Sequence, residues 1–470
     1  MIGFFRINDP YRLIVLFLAV VLIRLPYFIS SEPLQYELNW MLIGETLNQG
    51  NILYIDLFEP IAPLAAWVYS AIDFVFGRSI LAYQILATLL MGYQFVLFNN
   101  IMYKNKAYNE NSYVPAFVYA LLMQVFFDFF TLSPVLISMT FILLVLDNIY
   151  LRIENKLDDL TIFKTGFFMG LAVLFYLPSI VFVIATILSF ILLTGLIFRR
   201  YLMFLYGFML PIAVVALYYF WHNALGEMLY QWILFTLIHD KENVLGLTSL
   251  SLIIGIPTLV FVASLYKTFT ISRFTNYQVR VQQVMFMMFI AAWSVWILSD
   301  VKAPYQLIVF IPFMAFFIAH FLLQIKGRFL ANIFTLLFTA SLLVINYSLF
   351  YQNFYIHKWG NYGTLKIYES LYDQEVKGKN ILVLGEGKSI YNDAASVATK
   401  FYNWPLSKKV WTETDNPQQL AMIYDDLIAN EPETIIDLDG VAEEVLNKLP
   451  GIRKKYRKTN AKVYVLNNEE

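Results

Sequence analysis

The chain has 470 residues, 59% of them hydrophobic and only 14% charged, with a formal net charge of −1. A soluble globular domain is about 45–50% apolar and about 25% charged, so a freely soluble enzyme is excluded, and the neutral balance without a long basic block argues against nucleic acid as a partner. Cysteine is absent, which excludes disulfides, thiol nucleophiles and Cys-ligated metal centres.

Charge divides the chain in two. Residues 351–470 carry 32 of its 67 charged side chains, and the other 35 sit between long apolar runs in residues 1–350. We therefore expect a membrane domain over 1–350 and a small α/β extracytoplasmic domain over 351–470. A spanning helix needs about 20 mostly apolar residues. In chain order, segments near 13–30, 80–102, 113–128, 133–151, 163–177, 179–198, 201–221, 248–266, 282–299, 304–325 and 329–350 give about 11 transmembrane helices. The first is long, contains Arg24 and lacks a small-residue cleavage site, so it reads as a span and not as a cleaved signal peptide.

With the N-terminus cytoplasmic, 14 Lys/Arg of residues 1–350 fall inside and four (Arg24, Arg78, Lys241 and Lys302) fall outside. That bias fits the positive-inside rule. It requires residues 31–79 to be one long outer loop, and it puts the polar domain outside as well. The expected location is the plasma (inner) membrane, multi-pass.

The first outer loop, 31–79, holds two helix-length amphipathic stretches, 36–48 and 63–76, each too short to span. Both are expected to lie along the membrane surface. Gly50 ends the first, and Pro60 and Pro63 open the second. The loop carries six acids: Glu32, Glu37, Glu45, Asp56, Glu59 and Asp73. Carboxylates gathered at a membrane face suit a cationic ligand, a metal, or a hydroxyl or amine to be deprotonated; a solvated loop is the plain alternative. Asp128, in FFDFFTLSP, falls at the outer turn between two spans among aromatics, where a protein cavity would raise its pKa. Lys302 and Tyr305, in SDVKAPYQLIVFIP, stand at the outer mouth of a later span, where a cation and a phenol would suit a phosphate head group, unless Lys302 merely snorkels.

In order and spacing these segments resemble the GT-C superfamily, and within it the protein O-mannosyltransferases and lipid A aminoarabinose transferases. The resemblance runs along residues 1–350. It rests on LIRLP with Arg24, YELNWMLIGETLNQG, ILYIDLFEPIAPLAAWVY, FVFGRS with Arg78, the acid Asp128, the GLAxL segment Gly170 to Leu174, and Lys302, Tyr305 and Pro312. It departs from the family at the first surface helix, which has Glu37 but no Asp-Glu pair, and after GLAxL, where Phe175-Tyr176 replaces Thr-Lys. The resemblance implies an inverting glycosyltransferase that moves a sugar from a polyprenyl-phosphate donor to a lipid, glycan or protein acceptor. It implies Glu37 as general base and Asp128 as its partner or acceptor-orienting group. Lys302 with Tyr305 would bind the carrier phosphate, and Asp56, Glu59 and Arg78 would complete substrate binding, with a divalent cation left open as cofactor.

Other signals are weaker. LGEGKS at 384–389 lacks the first glycine of a phosphate loop, that position being Leu382. The four histidines, His222, His239, His320 and His357, show no ligand spacing. In the polar domain the pattern predicts strands at 381–385, near 409–411, at 434–438 and at 462–466, with helices near 389–400, 416–430 and 441–457. The competing reading is a non-catalytic polytopic protein, a transporter or an envelope-assembly subunit on the same fold. A transporter would place ionisable groups near mid-bilayer, whereas here the acids collect at the outer ends.

Overall fold

The computed structural model describes residues 2–30, 32–153, 159–195, 197–239, 241–271, 274–325, 327–351, 362–367 and 370–467. Asp240, His357 and the Glu242 side chain lie outside the described residues. Backbone proximity divides the chain into two compact units. One comprises Met1–Ser31, Leu81–Leu217 and Asp240–Gly363; the other comprises Glu32–Ile80, Tyr218–His239 and Thr364–Glu470.

The first unit is helical, and the chain is a multi-pass membrane protein. Among the described residues eight helices are long and apolar enough to span: Tyr11–Ile29, Ile80–Lys104, Pro134–Ile153, Phe198–Trp221, Leu247–Thr270, Asn276–Leu298, Pro304–Leu323 and Arg328–Tyr351. The other three expected segments form shorter helices, Val114–Leu122, Asp159–Phe175 and Val181–Thr194. Pro134–Ile153 and Pro304–Leu323 are the most enclosed of the eight long helices. The outer helices instead present Leu18, Leu22, Val214, Leu217, Leu259 and Leu336 unburied, as a lipid-facing surface requires.

Close packing of Asp159–Phe175 on Phe198–Trp221 depends on small residues. A Cβ on Gly166 would strike the Phe204 carbonyl, one on Gly207 the Phe163 carbonyl, and one on Gly170 would lie 2.5 Å from the Phe208 oxygen. In lipid, helices associate through such backbone approach because no hydrophobic effect drives them together. A short parallel bridge pairs β1 (Glu242–Asn243) with β2 (Val301–Lys302).

The second unit joins the loop of residues 32–80 to the polar domain. The loop folds into helices Gln35–Asn48 and Pro63–Phe76, as its two amphipathic stretches predict. They pack tightly: Gly44 leaves no room for a Cβ against the Tyr69 carbonyl at 2.5 Å, and Trp40 stacks on Tyr69 with ring centroids 5.8 Å apart.

The polar domain is a five-stranded sheet of β3 (Asn380–Leu384), β4 (Ser396–Val397), β5 (Thr434–Asp437), β6 (Tyr456–Asn460) and β7 (Val463–Leu466). The strand order is β4-β3-β5-β7-β6. β4, β3 and β5 run parallel, while β7 pairs antiparallel with both β5 and β6. The core contains Leu382, Leu384, Phe401, Trp411, Ile423 and Ile435, and Phe58 of the same loop packs against it.

Three segments differ from the sequence expectation. Residues 404–412 are a helix and not a strand, because Asn403 caps Leu406 N–H, Pro405 sits in the first turn, and Trp404, Ser407 and Trp411 are buried at helical spacing. The stretch 389–400 is a 3-10 turn, Lys388–Asn392, followed by β4. The stretch 441–457 breaks at Pro450 into Ala442–Lys448 and Pro450–Arg453, leaving Tyr456 to begin β6. β6 is an edge strand whose exposed Arg457 and Lys458 discourage further pairing.

Candidate active site

In the first unit, Asp128 lies in the 3-10 turn Phe127–Phe130 and is 1% exposed. One carboxylate oxygen, Oδ2, accepts the Tyr305 backbone N–H at 2.8 Å; Oδ1 is buried without a hydrogen-bond partner among the described residues. Burial pushes the carboxyl up to about 7, with the Tyr305 N–H opposing the rise. A carboxylate with one oxygen anchored, the other open and a titration near neutrality is suited to accept a proton or orient a hydroxyl.

The turn is held from below by Arg24. This fully buried guanidinium donates from Nε to Gln124 Oε1 (3.1 Å), from Nη1 to Thr88 Oγ1 (3.1 Å) and from Nη2 to the Met123 carbonyl (3.4 Å). It also lies 4.2 Å from the Phe130 ring centroid. Arg24 thus ties the first span to the strand of chain that leads into Asp128.

The structure brings Asp128 together with the mouth of the late span that sequence reading singled out. Tyr305 and Gln306 are buried beside it in chain order, and Lys302 stands two residues before Pro304, where that span begins. Lys302 Nζ rests 5.0 Å from the Trp296 ring centroid, and its backbone lies in β2, paired with β1. An aromatic face attracts a cation through the ring quadrupole and so helps to position it.

In the second unit, Glu37 is buried in the first turn of Gln35–Asn48, where its Oε2 accepts Leu34 N–H at 3.5 Å. Asp56 is exposed and caps a tight turn by accepting Ile52 N–H at 2.8 Å. That turn holds Tyr54 at φ 72°, fully buried, with its hydroxyl on the Ile61 carbonyl (2.6 Å) and its carbonyl accepting from Gln231 Nε2 (2.8 Å).

Glu59 is saturated. It receives Lys388 Nζ at 2.9 and 3.2 Å, Asn39 Nδ2 at 3.2 Å and Asn403 Nδ2 at 3.0 Å. Arg78 is equally committed. It binds Glu45 (2.6 and 2.9 Å) and reaches the carbonyls of Tyr391, Asn392, Ala394 and Ala395. Burial raises the Glu45 carboxyl while Arg78 opposes the rise.

Sequence reading did not single out Asn39, Lys388, Tyr402 or Asn403. The one signal was Lys388 itself, inside the LGEGKS turn that fails as a phosphate loop. Among the described residues no three His, Cys, Asp or Glu side chains cluster as a metal would need.

The same fold is known from solved structures. Among solved structures, ArnT from Cupriavidus metallidurans bound to undecaprenyl phosphate superposes with a TM-score of 0.57 at 13% identity, over 97% of this chain and 98% of that chain. The apo state of the same ArnT gives a TM-score of 0.56 at 13% identity, over 96% and 97%. No family model and no curated protein matches the sequence.

Proposed function

We propose that the chain is an integral membrane glycosyltransferase that takes a sugar from a polyprenyl-phosphate donor and passes it to an envelope acceptor on the outer face of the plasma membrane. The observation that carries this reading is the likeness, over nearly the full length of both chains, to a fold solved with undecaprenyl phosphate bound. Asp128 adds chemical support: a buried carboxylate with an open oxygen, tethered to the segment that bears Lys302 and Tyr305.

In the proposed reaction an acceptor hydroxyl or amine attacks the anomeric carbon as the bond from that carbon to the phosphate oxygen breaks. The polyprenyl phosphate leaves with the bonding electron pair, and the configuration inverts. Glu37 takes the acceptor proton, and Asp128 orients the acceptor. Lys302, with Tyr305 beside it, holds the charge that grows on the departing phosphate, which is the kind of stabilisation that lowers such barriers most.

The test uses purified full-length protein in nanodiscs with undecaprenyl phosphate as ligand and polyprenyl-phosphate-linked sugars as donors. Saturable binding that weakens in Lys302→Met, and transfer lost in Glu37→Gln and Asp128→Asn, support the reading. Binding and transfer both absent from well-folded wild type overturn it. Because the chain lacks cysteine, single introduced cysteines also test the proposed orientation, in which the N-terminus is cytoplasmic and the terminal domain outside.

A further inference from the structure

The turn LGEGKS lacks the first glycine of a phosphate loop, yet its lysine lies at the centre of a polar cluster in the second unit. In an open α/β sheet, ligands bind outside the carboxyl ends of parallel strands, where successive connections leave in opposite directions. Here β3 connects outward to β4 on one side, whereas β5, its neighbour on the other, connects away towards β6 and β7. Lys388 follows β3 and Asn403 follows β4.

What those residues hold is a piece of the same chain. Lys388 Nζ grips both oxygens of Glu59 and also Asn39 Oδ1 at 3.1 Å, while lying 4.6 Å from the Tyr402 ring centroid. The Tyr402 hydroxyl donates to the same Asn39 oxygen at 2.7 Å. The main chain joins in, as Phe58 N–H donates to the Lys400 carbonyl (2.8 Å) and Asn403 N–H to the Phe58 carbonyl (3.2 Å). The anion at the crevice is thus Glu59 of the first outer loop, and Asn39 couples it to the helix Gln35–Asn48. Arg78 forms a second tie between Glu45, on that same helix, and the carbonyls of residues 391–395.

We propose that Lys388 is a positioning residue for the transfer reaction. The terminal domain uses its ligand crevice to clamp the outer loop and so fixes Glu37, two residues from Asn39, in its working place. The proposal rests on the transferase reading for the role of Glu37; the clamp itself does not. It gives Glu59 and Arg78 a structural task in place of substrate contact. A displacement of about 1 Å in a reacting group can cost roughly a hundredfold in rate, so a clamp of this kind acts on turnover.

The experiment compares wild type, Lys388→Met, Lys388→Arg and Tyr402→Phe as full-length protein in nanodiscs. Hydrogen exchange is read without substrate, and transfer kinetics with a polyprenyl-phosphate sugar. Expected is faster exchange confined to residues 35–48 and 56–60, by about tenfold in Lys388→Met and less in Tyr402→Phe. Turnover should fall by roughly 10- to 100-fold with the donor KM unchanged, and Lys388→Arg should recover most of it.

Unchanged exchange in both Lys388→Met and Tyr402→Phe overturns the clamp. So does exchange raised equally across the whole chain, or a KM that rises while kcat holds. Should Lys388→Met fail to fold, Tyr402→Phe alone decides, since it removes one hydroxyl and no charge. If wild type transfers no sugar, the transferase reading falls, and the exchange pattern still decides the clamp.

Discussion

Two buried carboxylates, one in each unit, show how differently an acid can be used. Glu59 has every oxygen engaged by an ammonium and two amides. Asp128 has one oxygen on a backbone N–H and, among the described residues, no partner for the other. The first arrangement repays desolvation within the protein and leaves no capacity for a ligand; the second leaves a lone pair to be satisfied by something else. Saturation, more than burial, separates an acid that holds structure from one that is available for chemistry.

That contrast is broken or upheld most sharply by Asp128→Asn. It should lower transfer at least about a hundredfold while the variant stays folded, measured by turnover and thermal unfolding in nanodiscs. A variant that unfolds instead would place Asp128 among the structural acids. Glu59→Ala should do the reverse, destabilising the second unit by about 1–3 kcal/mol because Lys388 and two amides lose their partner. Hydrogen exchange across residues 35–60 and 380–410 reads this.

The pH dependence sharpens the comparison further. Asp128 titrates at about 7 in the folded protein against an ordinary 3.8. A raised folded pKa gives stability that is complete below the ordinary value and is lost as pH rises through the folded one. Wild type should therefore lose Tm relative to Asp128→Asn between about pH 4 and 8, while transfer rises over the upper part of that range as the carboxylate forms. A parallel pair of Tm profiles would refute the assignment. The smallest effect belongs to Asp56→Ala. Its exposed carboxylate caps a single N–H, so Tm should fall by only a degree or two, for a loss of about 0.5–1 kcal/mol.

Much of the fold was legible in the sequence. The long apolar runs fixed eight spans, since a bilayer demands both length and internally satisfied backbone. The amphipathic stretches at 36–48 and 63–76, with Pro63 at the start of the second, fixed the helices Gln35–Asn48 and Pro63–Phe76. The polar domain was harder. At 404–412 a β-rich composition masked a helix whose true markers were the Asn403 cap and Pro405, because a nine-residue segment is too short for its hydrophobic period to stand out.

For the candidate site, sequence supplied the acids, and Lys302 and Tyr305, as types at plausible ends of spans. It did not supply their partners. Which carboxylate finds a partner depends on residues far along the chain: Lys388 is 329 positions from Glu59, and the Tyr305 N–H is 177 positions from Asp128. The sequence by itself determined that the chain crosses a membrane repeatedly and keeps its acids at helix ends, since transfer energies act on each segment independently. Only the tertiary structure decided which acids are spent on holding the loop and which is left open, because a hydrogen bond belongs to a pair of groups and pairs are made by folding.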